Sequence, residues 1–120
     1  MQAVEVVYPN NPLVRHSVEF SLEIMRFCQE LEKERCFVVS KQLIRSGTAI
    51  GALILEAQSA ESRGDFIHKL KVADKEARET WYWLYLCKNS ASYPFNEILV
   101  SKLSEIQRIL GAILKHGKNQ

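Results

Sequence analysis

The chain is poor in the residues that crosslink or punctuate a fold. Its 120 residues include three cysteines, three prolines and five glycines. Cys28, Cys36 and Cys87 are odd in number and form no CxxC pair, which argues against a disulfide framework or a zinc knuckle. Reduced thiols are the simpler expectation. Long apolar runs are missing too. The longest, Ser46 to Leu55, lies between Arg45 and Glu56, far short of the about 20 residues that span a bilayer. The opening MQAVEVVYPNNP has no basic segment followed by an apolar core, so no signal peptide is expected. A soluble, cytoplasmic protein without a membrane partner follows as the expectation. Charge of one sign is also scarce. The formal net charge of +2 is too small to announce nucleic acid by itself.

What is present is helical periodicity. Leu13, Ser17, Phe20, Ile24, Phe27 and Leu31 alternate at spacings of four and three, as do Leu43, Gly47, Ile50, Ile54 and Ala57. Phe66, Leu70, Ala73, Ala77, Thr80, Leu84 and Cys87 continue the rule, and Leu99, Leu103, Ile106, Leu110 and Ile113 complete it. The spacing predicts helices over about 12–34, 38–59, 63–89 and 96–116. Asn11 reads as an N-cap with Pro12 at the first helical position. Ser62-x-x-Asp65 has the form of a capping box, and Pro94 is a breaker with Asn96 a possible cap. Short connections make consecutive helices antiparallel neighbours. The expected fold is all-α, a single up-down-up-down four-helix bundle.

A bundle helix needs one apolar stripe. The second helix exceeds that with Ile44, Gly51, Leu53 and Leu55, and the third ends in WYWLYLC, where Trp81, Tyr82, Trp83 and Tyr85 point several ways. Surplus apolar surface marks a protein interface. A homo-oligomer is therefore expected, with Gly47, Gly51, Leu55, Trp81, Tyr82, Trp83 and Tyr85 at its contacts. Gly47 and Gly51 each cost roughly 1 kcal/mol against alanine within a helix. Their spacing suits close approach of a neighbouring backbone, from the same bundle or from another subunit. A phosphate loop is a poor alternative, because no Lys-Ser/Thr follows Gly51 and no strand precedes it.

The run QLIRSGTAIGALILEA, followed by DFIHKLKVADKEARETWYWLYL, resembles the four-helix-bundle proteins encoded within 23S rRNA intervening sequences. That family typically shows Q-L-x-R-S-G-T-S-I-G-x-N-I-x-E-A, then D-F-I-x-K and K-E-A-x-E-T-x-Y-W-L. Here Gln42, Leu43, Arg45 to Thr48, Ile50, Gly51, Ile54, Glu56 and Ala57 match. So do Asp65 to Ile67, Lys69, Lys75 to Ala77, Glu79, Thr80 and Tyr82 to Leu84. Ala49 replaces the usual serine and Leu53 a common asparagine. The resemblance is dense over 40–88 and looser at both ends. It implies assembly as a ring-like homopentamer. It also implies kinship with the accessory variability determinant of diversity-generating retroelements, which binds nucleic acid and a reverse transcriptase.

Residues 61–120 carry ten Lys/Arg against seven Asp/Glu, whereas residues 1–60 carry six against seven. A basic surface is thus expected on the second half. On the third helix Lys71, Lys75 and Arg78 recur at four and three, with Tyr82 next, and Arg63 and Lys69 lie near its start. Such a ridge can neutralise phosphates while an aromatic stacks on bases. The bland alternative is a solvated face, since Asp74 can pair with Arg78 and Lys75 with Glu79. Arg45 and Glu56 are expected to find partners on another helix or subunit. No metal or cofactor is expected. A di-iron bundle needs two Glu-x-x-His motifs, and Asp65-x-x-His68 occurs once, where the carboxylate suits a helix start. His16 and His116 lack matching carboxylates. No Cys/His or Ser/His/Asp arrangement is recognisable, so an enzyme is not expected. RNA or DNA, a reverse transcriptase and the protein itself are the candidate partners.

Overall fold

A computed structural model describes residues 10–118, and the N-terminal stretch that bears on a signal peptide lies outside them. Among the described residues there are four helices and no strand: α1 (Pro12–Lys33), α2 (Phe37–Ala57), α3 (Arg63–Asn89) and α4 (Glu97–Lys118). Three of the four starts carry a side-chain cap, and the α2 start at Cys36 has none. Asn11 accepts a hydrogen bond from the Val14 amide and Pro12 occupies the first turn. Ser62 accepts from the Asp65 amide, and Asp65 accepts in turn from the Glu61 amide at 3.2 Å. Asn96 accepts from Ile98 before α4. These bonds satisfy orphan donors of the first turns.

The α1–α2 turn is tighter than the sequence advertises. Arg35 adopts φ 64°, its amide bonds the Glu32 carbonyl at 2.9 Å, and the Cys36 amide bonds the Leu31 carbonyl at 2.8 Å. This is a Schellman ending with arginine where glycine is usual. Cys36 and Leu31 are both buried behind it.

Helix directions follow from cross-helix contacts. The Asn11 amide donates to Gln58 at one end of α1–α2, and Cys28 and Ser40 exchange bonds to each other's carbonyls at the other. Arg45 reaches Glu76 and Glu79 while Glu56 meets Lys69, so α3 runs opposite to α2. Lys88 lies 3.9 Å from Glu97, which turns α4 back along α3. Neighbouring helices pack in the cycle α1–α2–α3–α4–α1, and diagonal pairs do not approach. The four apolar stripes meet in one core, with Phe20, Ile24, Leu43, Ile54, Leu84 and Leu103 fully enclosed. Inside it Ser46 and Thr80 bond at 2.9 Å, joining α2 to α3.

Gly47 and Gly51 are both buried, and both face α1 of the same chain. A Cβ on Gly47 would lie 3.0 Å from two carbons of Ile24, and one on Gly51 would lie 3.3 Å from the Ser17 carbonyl oxygen. Their placement at an oligomer contact is thereby corrected. The missing side chains let α1 and α2 approach inside one bundle. Of the described helices, α2 is long and apolar enough to cross a membrane by length and composition. Its apolar stripe instead contacts α1 and α3.

Candidate nucleic-acid interface

Helix α3 presents four different sides. Its core side carries Leu70, Ala73, Ala77, Thr80, Leu84 and Cys87. Directly opposite, Lys71, Lys75, Arg78 and Tyr82 are exposed, one above the other at spacings of four, three and four. Arg63 is exposed at the start of the same helix. Arg78 is held 3.3 Å from Asp74. No ion pair forms at Arg63, Lys71 or Lys75 among the described residues.

The side facing α2 is an ion-pair seam. Arg45 donates to Glu76 at 3.2 Å and to Glu79, and the Trp83 indole N–H donates to Glu79 at 3.1 Å. The hydrogen bond from Arg45, then that from Trp83, holds the Glu79 carboxyl below its ordinary value. The same bond to Glu79 raises the Arg45 guanidinium. Arg45 and Glu56 thus find their partners on another helix, as expected. Two expectations are corrected here. Glu79 is taken by Arg45 and not by Lys75, because a guanidinium fork crossing between helices competes with a flexible i,i+4 lysine. Lys69 lies in the seam, 3.8 Å from Glu56 and 3.9 Å from Asp65, and does not belong to the ridge. Lys69 and Lys71 are two residues apart, about 200° around the helix.

The side facing α4 is open. Near the start of α3 a cleft of about 650 Å³ is lined by Arg63, Gly64, Ile67, His68, Lys71 and Gly117. Through Lys71 it adjoins a second of about 390 Å³, lined by Lys71, Asp74, Arg78, Gly111, Leu114 and Lys115. Farther along, Trp81 and Tyr85 stack at 5.0 Å, both exposed. Tyr82 stands edge-on to Trp83 at 5.3 Å. Trp83 is half-buried against the core, while Leu55 is exposed on α2. Sequence reasoning missed His68, Gly111, Lys115 and Gly117 as groove residues. The available signal was Gly111 followed four residues later by Lys115, on the flank of the α4 stripe.

The remaining titratable groups offer little chemistry. Asp65 accepts from the Glu61 amide and lies beside Lys69, and no cluster of three ligating side chains lies among the described residues. Cys28, Cys36 and Cys87 are free and buried. Burial, reinforced by the neighbouring Cys36 and Cys28, pushes the Cys87 thiol up to about 11, away from nucleophilic use.

Residues 10–112 match the family of 23S rRNA-intervening sequence proteins. The chain belongs to that family. Among solved structures it is similar to a protein of unknown function from the S23 ribosomal protein family of Bacteroides thetaiotaomicron VPI-5482. Identity is 42% and the TM-score 0.81, over 86% of this chain and 98% of that one. None of the curated proteins matches the chain. The family motif has a physical reading in this fold. Its glycines seat α2 on α1, Ser46 and Thr80 bond across the core, and Arg45, Glu56, Lys69 and Glu79 make the α2–α3 seam. At the departure from the intervening-sequence pattern, Leu53 packs against the core.

Proposed function

We propose that this protein is a non-catalytic, oligomeric nucleic-acid-binding protein that grips RNA or DNA along α3 and organises a ribonucleoprotein in the cytoplasm. The observation that carries the reading is the line of exposed cations from Arg63 through Lys71 and Lys75 to Arg78. Three of these four lack an ion pair among the described residues, and the line runs toward exposed Trp81, Tyr82 and Tyr85. Fifteen residues of helix extend about 22 Å, enough for several consecutive phosphates. Lys115 adds a cation across the groove.

Self-association fits the exposed Leu55, Trp81, Tyr82 and Tyr85, and a ring-like homopentamer is the assembly that the family likeness favours. A ring would repeat the ridge and multiply weak contacts by avidity. The exposed Trp81–Tyr85 stack also favours a second reading, in which a protein such as a reverse transcriptase is the ligand.

Fluorescence anisotropy with single-stranded oligonucleotides tests the leading reading. With three or four neutralised phosphates the log–log salt slope is about −2 to −3 per bound site. Charge reversal at Lys71, Lys75 and Arg78 should abolish binding while sedimentation shows an unchanged assembly. Absence of binding at low salt refutes it, and capture of a protein ligand dependent on Trp81 and Tyr85 then supports the second reading.

A further inference from the structure

The cleft between the start of α3 and the end of α4 is built differently from the ridge beside it. Arg63, His68 and Lys71 line it together, and among the described residues no carboxylate does. The lysine and the arginine have no ion pair among the described residues. Its remaining lining is Gly64, Ile67 and Gly117. A Cβ on Gly117 would lie 2.7 Å from the Ile67 Cδ1, so a side chain there would have to push the Ile67 tip aside at the edge of the cleft. The cleft also borders the first turns of α3, whose dipole favours an anion. Its volume suits a small ligand more than a passing backbone.

We infer that this cleft is a pocket for a phosphate monoester, the phosphorylated end of a nucleic-acid strand. The inference rests on the nucleic-acid reading and adds a terminus to it. A phosphodiester carries one negative charge and is served by isolated ridge lysines. A terminal monoester carries about −1.5 to −2 near neutral pH, with three acceptor oxygens. Two permanent cations and an imidazole N–H around one space match that group in both charge and donor number. The strand would leave past Lys71, which lines both clefts, toward the second, where Arg78 pairs with Asp74.

The experiment compares one short single strand bearing a 5′-phosphate, a 3′-phosphate or neither. The phosphorylated end that fits should bind about ten-fold more tightly, the effect of one added charge-assisted hydrogen bond. The advantage should vanish in the double variant Arg63→Ala/His68→Ala. In Lys75→Ala all three strands should weaken while their ratio persists. A nucleoside monophosphate should also shift the His68 ring resonances. Equal affinity of all three strands for the wild type overturns the pocket and leaves the broader reading standing. Persistence of the advantage in the double variant overturns it as well. A shift at His68 without any strand binding keeps the pocket and overturns the broader reading.

Discussion

Alanine at Gly47 and alanine at Gly111 should move stability in different directions, although both sites lie inside helices. The helix-propensity gain is common to the two, about 1 kcal/mol. At Gly111 nothing lies within 4 Å of the added methyl, so the whole gain should appear. At Gly47 the methyl meets Cγ1 and Cγ2 of Ile24 at 3.0 Å and Cδ1 at 3.3 Å. Comfortable carbon contacts begin near 3.5 Å. Ile24 is fully buried, and its branched Cβ holds one rotamer in a helix. Neither branch can retreat, so α1 must shift. Overpacking of this kind costs about 1–3 kcal/mol. Gly47→Ala should therefore be neutral to about 2 kcal/mol destabilising.

Subtracting the two variants removes the propensity they share and leaves the overpacking alone, about 1–3 kcal/mol. For a domain of this size that separates the melting temperatures by about 4–12 °C. Urea unfolding followed by circular dichroism measures the difference directly. Protein concentration is held equal throughout, because the proposed self-association would make apparent stability concentration-dependent. If Gly47→Ala stabilises as much as Gly111→Ala, α1 and α2 are not in tight contact there and the reason given for the α2 glycines fails.

Two further outcomes follow from buried groups. The Thr80 hydroxyl has one proton, which the Glu76 carbonyl takes at 2.8 Å, so Ser46 is the donor in the 2.9 Å bond between the two. Thr80→Val strands the Ser46 hydroxyl and should cost about 1–3 kcal/mol, whereas Ser46→Ala leaves Thr80 bonded and should cost about 1; equal costs in urea unfolding would contradict this assignment. Cys87 is raised from its ordinary 9.0 to about 11 in the folded chain, so its contribution is intact below pH 9 and is lost as pH climbs from there toward 11. A thiol-specific reagent at pH 8 should accordingly label Cys87 only as the chain unfolds, and labelling faster than unfolding would refute its burial.

The helices were legible because apolar residues at three and four spacings leave little choice of face, and Asn11, Ser62 and Asn96 mark the starts. The turn between α1 and α2 was obscure because its left-handed residue is Arg35, and no glycine signals it. Half of the α3 surface was legible as well. Lys71, Lys75 and Arg78 share a face by arithmetic, and the same arithmetic places Lys69 elsewhere. The groove itself was not legible. Which flank of α3 receives α4 depends on how residues 90–96 carry the chain across, and neither spacing nor charge encodes that. Lys115 joins Lys71 and Arg78 only through this tertiary choice.

Four of the glycines separate fold from access. An added side chain would crowd Ile24 at Gly47 and the Ser17 carbonyl at Gly51, and at Gly117 it would meet the tip of Ile67, which can turn aside. In each case an atom stands where the side chain would go. Gly111 has no such atom, yet it lies within a helix and lines the second cleft. A helix interior that gives up about 1 kcal/mol of propensity without gaining a packing contact needs a reason outside the bundle. On the proposed reading, open space beside Lys71, Arg78 and Lys115 supplies one, because a side chain at 111 would stand in the groove through which a bound strand would leave the cleft. The stability gained by Gly111→Ala and the strand affinity lost on enlarging the same residue should therefore trade against each other. A large side chain at 111 that leaves both the fold and strand binding intact would remove the groove from the binding path.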